Sequence, residues 1–199
     1  ILADEVGLGK TLTAVAVAVL LLEEHRYSTL VVCPKNLVEM WEDHLAAYQV
    51  PGKVIPYSTA ARDLPNLRRY HFVIVDESHT MRNEDRQDYQ ALHEYIRTND
   101  CKVLLLTATP YNIAFKDVAA QIGLWINPDE DLGLQPTVAL RKDPSLAQRL
   151  DGRTSTLAAF KKSEEAEDWQ RLMSEHLVRR TRSFIKKRAS DNGQVDGRG

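Results

Sequence analysis

Two short stretches of this 199-residue sequence hold residue types suited to chemistry on phosphate. The first is Asp4-Glu5-Val6-Gly7-Leu8-Gly9-Lys10-Thr11. In a phosphate-binding loop, glycines let backbone N–H groups close on phosphate oxygens. Lys10 would bring positive charge to the β- and γ-phosphates, and Thr11 could place its hydroxyl on Mg²⁺. The match to G-x-x-x-x-G-K-S/T is incomplete, because Asp4 stands where the first glycine belongs, and Gly9-Lys10-Thr11 alone could be a turn into an ordinary helix. The second stretch, Asp76-Glu77-Ser78-His79, directly follows the apolar run Phe72-Val73-Ile74-Val75. A carboxylate at a strand end beside a phosphate loop holds Mg²⁺, commonly through water. Glu77 would then orient and deprotonate an attacking water, which makes the reaction hydrolysis. A solvated acidic turn is the plain alternative, and the core strand before it argues for function.

For these groups to meet, a helix must begin near Thr11 and a strand must end at Asp76. Residues 11–24 alternate with a strand-like period of two, yet their length and the need for a helix behind the loop favour a helix buried on nearly all sides. Its N-terminus, with free N–H groups and the positive dipole end, would face the phosphates. A strand follows at 29–32 and is broken by Cys33-Pro34-Lys35-Asn36. Asn36 is expected to cap the next helix, with Glu39 at the third position and an apolar stripe of Leu37, Trp41, Leu45 and Tyr48. Residues 54–57 read as a strand that Pro56 demotes to an edge or a short piece, and 62–69 as a weak helix.

The run 72–75 suits a central parallel strand. Residues 86–97 form a helix with Tyr89, Leu92 and Ile96 inward, and 102–106 the next buried strand, ending at Thr107-Ala108-Thr109-Pro110. Alternating strands and helices imply a three-layer α/β fold with a mostly parallel sheet. Ligands of such sheets bind beyond the carboxyl ends of the strands, so the phosphate loop, Asp76-Glu77 and Thr107 to Thr109 would share one edge. A helix at 115–126 precedes a loop-like stretch at 127–152. One long helix is expected over 156–188, with Trp169, Leu172, Met173 and Leu177 apolar, acids first and bases last, as the helix dipole favours. Residues 190–199 are polar and Gly-rich, a linker or frayed end. The chain thus divides into a nucleotide-binding unit at 1–126, a loop and long helix at 127–189, and a linker at 190–199.

Composition narrows the classes. A net charge of −2 and a pI near 6.3 advertise no global affinity for nucleic acid, so any such contact needs a local patch. Cys33 and Cys101 lie far apart, outside any C-x-x-C spacing and beside apolar runs, which suits buried free thiols in a reducing compartment. The histidines show no metal-ligand spacing with them, and no zinc site is expected. The longest apolar run, at 14–22, is too short to cross a bilayer. The sequence opens on Ile1 inside a motif and reads as a piece of a longer protein.

The ordered motifs together resemble the first RecA-like lobe of a superfamily 2 helicase-like ATPase, most closely the Swi/Snf-type branch of DNA translocases. In that branch the leading glycine of the phosphate loop is normally Asp, as at Asp4. Val32-Cys33-Pro34-Lys35-Asn36-Leu37 followed by Trp41 is similar to motif Ia. Asp76-Glu77-Ser78-His79 with trailing Arg82-Asn83 resembles motif II, Leu105-Leu106-Thr107-Ala108-Thr109-Pro110 motif III, and Leu177-Val178-Arg179-Arg180-Thr181 the Arg-Arg segment leading to lobe two. The resemblance implies a P-loop lobe whose Asp4, Gly7, Leu8, Gly9, Lys10 and Thr11 bind ATP, with Mg²⁺ at Thr11 and Asp76. Lys10, Asp76 and Glu77 would be catalytic. His79, Thr107 and Thr109 would couple the nucleotide to motion, although the threonines could simply end a strand.

Lys35 could touch a DNA phosphate or merely sit at a helix start, and capping is the better reading for Asn36. Trp41 and Trp169 read as core residues. The expected partners are double-stranded DNA and a second RecA-like lobe of the same parent chain, with no membrane and a cytoplasmic, nucleoid-associated location in a bacterium or archaeon. A strand-separating helicase, a restriction-type motor, or a nucleotide- or DNA-binding module without turnover are the rivals. The segment between Val54 and Phe72 is short for the branch, so one strand could be compressed or missing there. Without lobe two, little catalysis is expected of these residues alone.

Overall fold

The computed structural model describes residues 1–4, 7–107 and 115–178. Its sheet has four strands, β1 (Thr29–Cys33), β2 (Gly52–Pro56), β3 (Phe72–Val75) and β4 (Lys102–Leu105), in the order β2-β1-β3-β4. All pairings are parallel, with Val32 opposite both Ile55 and Val75, and Val75 opposite Leu105. Beyond β4, Leu2 pairs in parallel with Leu106 on one side and Val178 on the other.

The central strands β1 and β3 are buried at every residue, the pattern of parallel strands covered on both faces. Alternate side chains enter two different layers. Leu30, Val32, Ile55, Val73 and Val75 pack against Tyr89, Leu92, Tyr95 and Ile96 of α4 (Gln87–Asn99) and Ala60 of α3 (Tyr57–Asp63). Val31, Cys33, Val54, Phe72 and Ile74 pack against Ala14, Val15 and Ala18 of α1 (Lys10–His25) and Trp41 and Leu45 of α2 (Val38–Ala47). The result is the expected three-layer α/β sandwich. A third cluster joins Val118, Ala119 and Ile122 of α5 (Phe115–Gly123) to Leu157 and Phe160 of α8 (Leu157–Phe160) and Trp169, Leu172 and Met173 of α9 (Ala166–His176).

Several expectations are corrected. Helix α1 is not buried on nearly all sides: Ala14, Val15 and Ala18 face the sheet, while Leu12 and Leu20 are 53% and 54% exposed. A helix lying on a sheet touches it along one stripe, and small residues there let it come close. Asn36 does not cap α2. A 3₁₀ turn, Lys35–Leu37, intervenes, and Leu37 occupies the cap position with no side-chain hydrogen bond. Tyr48 lies half exposed past the helix end.

Strand β2 does run at the sheet edge, as Pro56 requires. The helix expected at 62–69 starts earlier, at Tyr57, and gives way to a 3₁₀ turn at Leu64–Asn66 that contains Pro65. No strand lies between β2 and β3 among the described residues. Strand β4 is only partly buried, Lys102 being exposed, because among the described residues its outer side is paired only at its end, by Leu2.

The stretch 127–152 is not simply a loop, since it holds α6 (Thr137–Lys142) and α7 (Ser145–Arg149). The long helix expected at 156–188 is interrupted. After α8 the chain turns, α9 starts at Ala166, and it ends at His176, with Leu177 extended. The Asp168 carboxylate, with no exposure, causes the turn. It accepts the Val138 and Ala139 N–H groups at 2.9 and 3.0 Å and the Ser163 hydroxyl at 2.8 Å, while the Trp169 indole donates to the Ser163 carbonyl at 2.9 Å. Three donors compensate the desolvation of that carboxylate and fix the corner. The basic residues from Arg179 onward and the stretch 190–199 lie outside the described residues.

Candidate nucleotide site

Because every pairing is parallel, the carboxyl ends of the strands open on one edge of the sheet. Backbone hydrogen bonds place the motif residues there. The Asp76 N–H donates to Val32 O and the Ser78 N–H to Leu106 O, both at 2.9 Å, and the Thr107 N–H donates to Leu2 O at 3.1 Å. Asp4 follows Leu2 to the same edge, and Lys35 is exposed just past the end of β1. The topology therefore gathers Asp4, the loop from Gly7 to Thr11, Lys35, Asp76, Glu77, His79 and Thr107. Thr109, Glu5 and Val6 lie outside the described residues.

In the loop, Gly7 and Gly9 have φ of 83° and 77°, a left-handed backbone that glycine adopts without strain. A side chain at Gly9 would meet no atom within 4 Å, so the demand for glycine there is conformational. Gly9 is the cap of the 16-residue α1 and offers no side-chain cap. The helix thus presents first-turn N–H groups and the positive end of its dipole toward the edge. Its start is fixed from below, the Thr13 N–H and hydroxyl both donating to Gly9 O. The Lys10 ammonium donates to the Asp4 carbonyl at 2.8 Å, and Asp4 itself is buried. Leu8 and Thr11 are partly buried.

The carboxylate of Asp76 is held from two directions. The Trp41 indole N–H donates to Oδ2 at 2.9 Å and the Glu77 N–H to Oδ1 at 2.8 Å, while the Tyr57 hydroxyl donates to the Asp76 carbonyl. Burial pushes the Tyr57 hydroxyl pKa well up, so it stays a donor. Burial, reinforced by the neighbouring Asp76, raises the Cys33 thiol from 9.0 to about 12. Glu77 has φ 50°, a left-handed conformation that costs a non-glycine residue about 1–3 kcal/mol and that surrounding structure must enforce. Its side chain is 35% exposed, and its carboxylate lies 3.2 Å from His79 Nδ1. Buried Ser78 donates to Gln121 Oε1 of α5 at 2.9 Å.

The SNF2-related domain family matches residues 1–63, and the DEAD/DEAH box helicase family matches residues 38–117. The two matches overlap and between them take in every residue of this edge. By fold, the chain is similar to the SWI2/SNF2 ATPase core of Sulfolobus solfataricus solved in complex with double-stranded DNA, with a TM-score of 0.62 and 20% identity over 90% of this chain and 39% of that one. By fold the chain is a RecA-like lobe, and over residues 1–63 it resembles the SNF2-related family. Among relatives, it is 34% identical over 97 residues to the chromatin-remodeling ATPase INO80 of Pyricularia oryzae, covering 48% of this chain and 5% of that protein. It is 27% identical over 144 residues to the CHD3-type chromatin-remodeling factor CHR7 of Arabidopsis thaliana, covering 55% of this chain and 12% of that protein. It therefore spans only a small part of the length of either relative.

Within this lobe the donor set fits a nucleotide triphosphate with a divalent cation. An ammonium, a helix N-terminus without a side-chain cap, a hydroxyl and two carboxylates share one edge. Each Asp76 oxygen accepts one hydrogen bond and keeps acceptor capacity for a metal-bound water. Sequence reasoning missed the residues that hold this set. Trp41 is core as expected, but it also grips Asp76; Tyr57 and Gln121 were not singled out. A signal existed for Trp41, since a fully buried indole needs an acceptor for its N–H.

Proposed function

We propose that this lobe binds ATP for a DNA-dependent ATPase that moves along double-stranded DNA. The observation that carries the reading is the convergence of the Gly7–Gly9 loop, the N-terminus of α1 and the Asp76-Glu77 pair on one sheet edge. Lys10 leaves the Asp4 carbonyl to meet the β- and γ-phosphates. Thr11 and Asp76 would hold Mg²⁺, which when bound neutralises phosphate charge and orients the γ-phosphate for in-line attack. Glu77, more exposed than Asp76 and one residue further from the strand, takes the proton of the attacking water. His79 beside Glu77 and Thr107 beside Leu2 relay the state of the site, with Thr109 in the same role. Lys35 meets a DNA phosphate.

The double-stranded DNA in the solved Sulfolobus relative supports that choice of track. A second RecA-like lobe closes on the nucleotide and supplies the opposing charges. The DEAD/DEAH match over 38–117 keeps strand separation as the second reading. Phosphate release by the full-length protein, with and without duplex DNA, tests the motor. DNA-stimulated release is expected, and ATP binding without turnover would leave a binding module. Streptavidin displacement from duplex DNA without unwinding marks a translocase, whereas unwinding favours the helicase.

A further inference from the structure

The bond from Trp41 to Asp76 is more than core packing demands. Two fully buried indoles invite comparison. Trp169 satisfies its N–H on a backbone carbonyl, that of Ser163, whereas Trp41 satisfies its own on the carboxylate Oδ2 of Asp76, 35 residues away in sequence. Trp41 has no exposure and Asp76 only 7%. With Oδ1 taken by the Glu77 N–H, the plane of the carboxylate is fixed by one donor from α2 and one from the turn after β3. The chemistry of the donor matters as well. An indole donates and cannot accept, and it carries no charge. It therefore orients the carboxylate without neutralising it, and leaves the full negative charge for a cation. An Arg or Lys in its place would cancel that charge.

We infer that Trp41 is a positioning residue for the carboxylate that receives the divalent cation, so that the seating of α2 on the sheet sets the affinity for metal. The inference rests on the nucleotide reading of this edge. Partners of this kind, one bond removed from the metal, typically account for about 10–100-fold in metal affinity. Trp41→Phe keeps an aromatic ring in the same layer, deletes the donor and leaves a small void at a buried site.

The test measures ATP affinity of the full-length protein by calorimetry, in EDTA and across a Mg²⁺ titration. Expected is ATP affinity in EDTA within about twofold of wild type for Trp41→Phe, with the Mg²⁺ concentration for half-effect raised about 10–100-fold. An unchanged Mg²⁺ midpoint overturns the inference, and so does an equal loss of affinity in EDTA and in Mg²⁺, which would mark general damage. A wild-type chain that binds ATP with no Mg²⁺ dependence, or fails to bind it, defeats the nucleotide reading itself. Should Trp41→Phe fail to fold, the unmutated chain still decides. In an assigned ¹⁵N spectrum of its ATP complex, added Mg²⁺ should shift the Trp41 indole N–H resonance and leave that of Trp169 in place. A Trp41 resonance that does not move would overturn the assignment.

Discussion

Asp168→Ala should destabilise the chain by an amount that can be worked from its partners. The buried carboxylate accepts from the backbone N–H of Val138, the backbone N–H of Ala139 and the hydroxyl of Ser163. Truncation leaves both N–H groups at the start of α6 without an acceptor, while the Ser163 hydroxyl can rotate elsewhere. Each buried group left unpaired costs about 1–3 kcal/mol. The Ala139 bond is fully buried and the Val138 bond only partly so, which places the total at about 2–4 kcal/mol. For a chain of this size each kcal/mol lowers Tm by about 2–4 °C, so a drop of about 4–16 °C is expected. Asp168→Asn retains one acceptor oxygen and should lose about half as much. Urea unfolding followed by circular dichroism gives the free energy, with the m-value checking that the unfolded state is unchanged. An Asp168→Ala chain within about 0.5 kcal/mol of wild type, at the same m-value, would refute the claim that this carboxylate fixes the corner between α8 and α9.

Glu77→Gln in the full-length protein should keep ATP binding and lower turnover by about 10²–10⁴; near-normal phosphate release would sink its role as base. Lys10→Ala should weaken ATP binding itself, and equal affinity by calorimetry would count against the phosphate-loop reading. Gly9→Ala meets no atom but forces a side chain into left-handed backbone, for a cost of about 1–2 kcal/mol in urea unfolding; no cost would mean the turn is not held as described. Cys33 and Cys101 have pKa values raised by burial to about 12 and about 11. The unfolded chain therefore releases their protons first, so their contribution to stability is full below pH 9 and lost as pH rises toward those values. The urea midpoint should fall between pH 8 and 10.5, less steeply in Cys33→Ala, and a flat midpoint would contradict the shifts.

The sheet was legible because parallel strands buried on both faces leave continuous apolar runs, and Asp76 marks the end of one. Helix α4 was legible from the spacing of Tyr89, Leu92 and Ile96. The alternation in α1 misled about burial, since a run of Ala and Val looks equally apolar on every side while only one stripe meets the sheet. Asn36 carries a capping side chain, but Pro34 and the 3₁₀ turn after it move the helix start past that residue. The break between α8 and α9 comes from bonds between Asp168 and residues 29 and 30 positions away, which local periodicity does not encode. The placement of the site motifs at one edge followed from topology. The grips on them by Trp41, Tyr57 and Gln121 depend on distant contacts and became visible only in three dimensions.

The seam around Leu2 has a mechanical meaning. Its N–H donates to Leu105 O and its carbonyl accepts from Thr107, while on the other side the Ala3 N–H donates to Val178 O and the Val178 N–H to Ile1 O, at 2.8 and 2.9 Å. Pairing is parallel, so tension on the backbone beyond Val178 would load these bonds in shear and pass into residues 1–4, which precede the phosphate loop in the chain. The pull reaches Asp4, whose carbonyl accepts the Lys10 ammonium, without first displacing a helix. Strain developed at the loop travels outward along the same seam. A machine built on this lobe would therefore have its grip on nucleotide and its resistance to external force set by a few shared backbone hydrogen bonds.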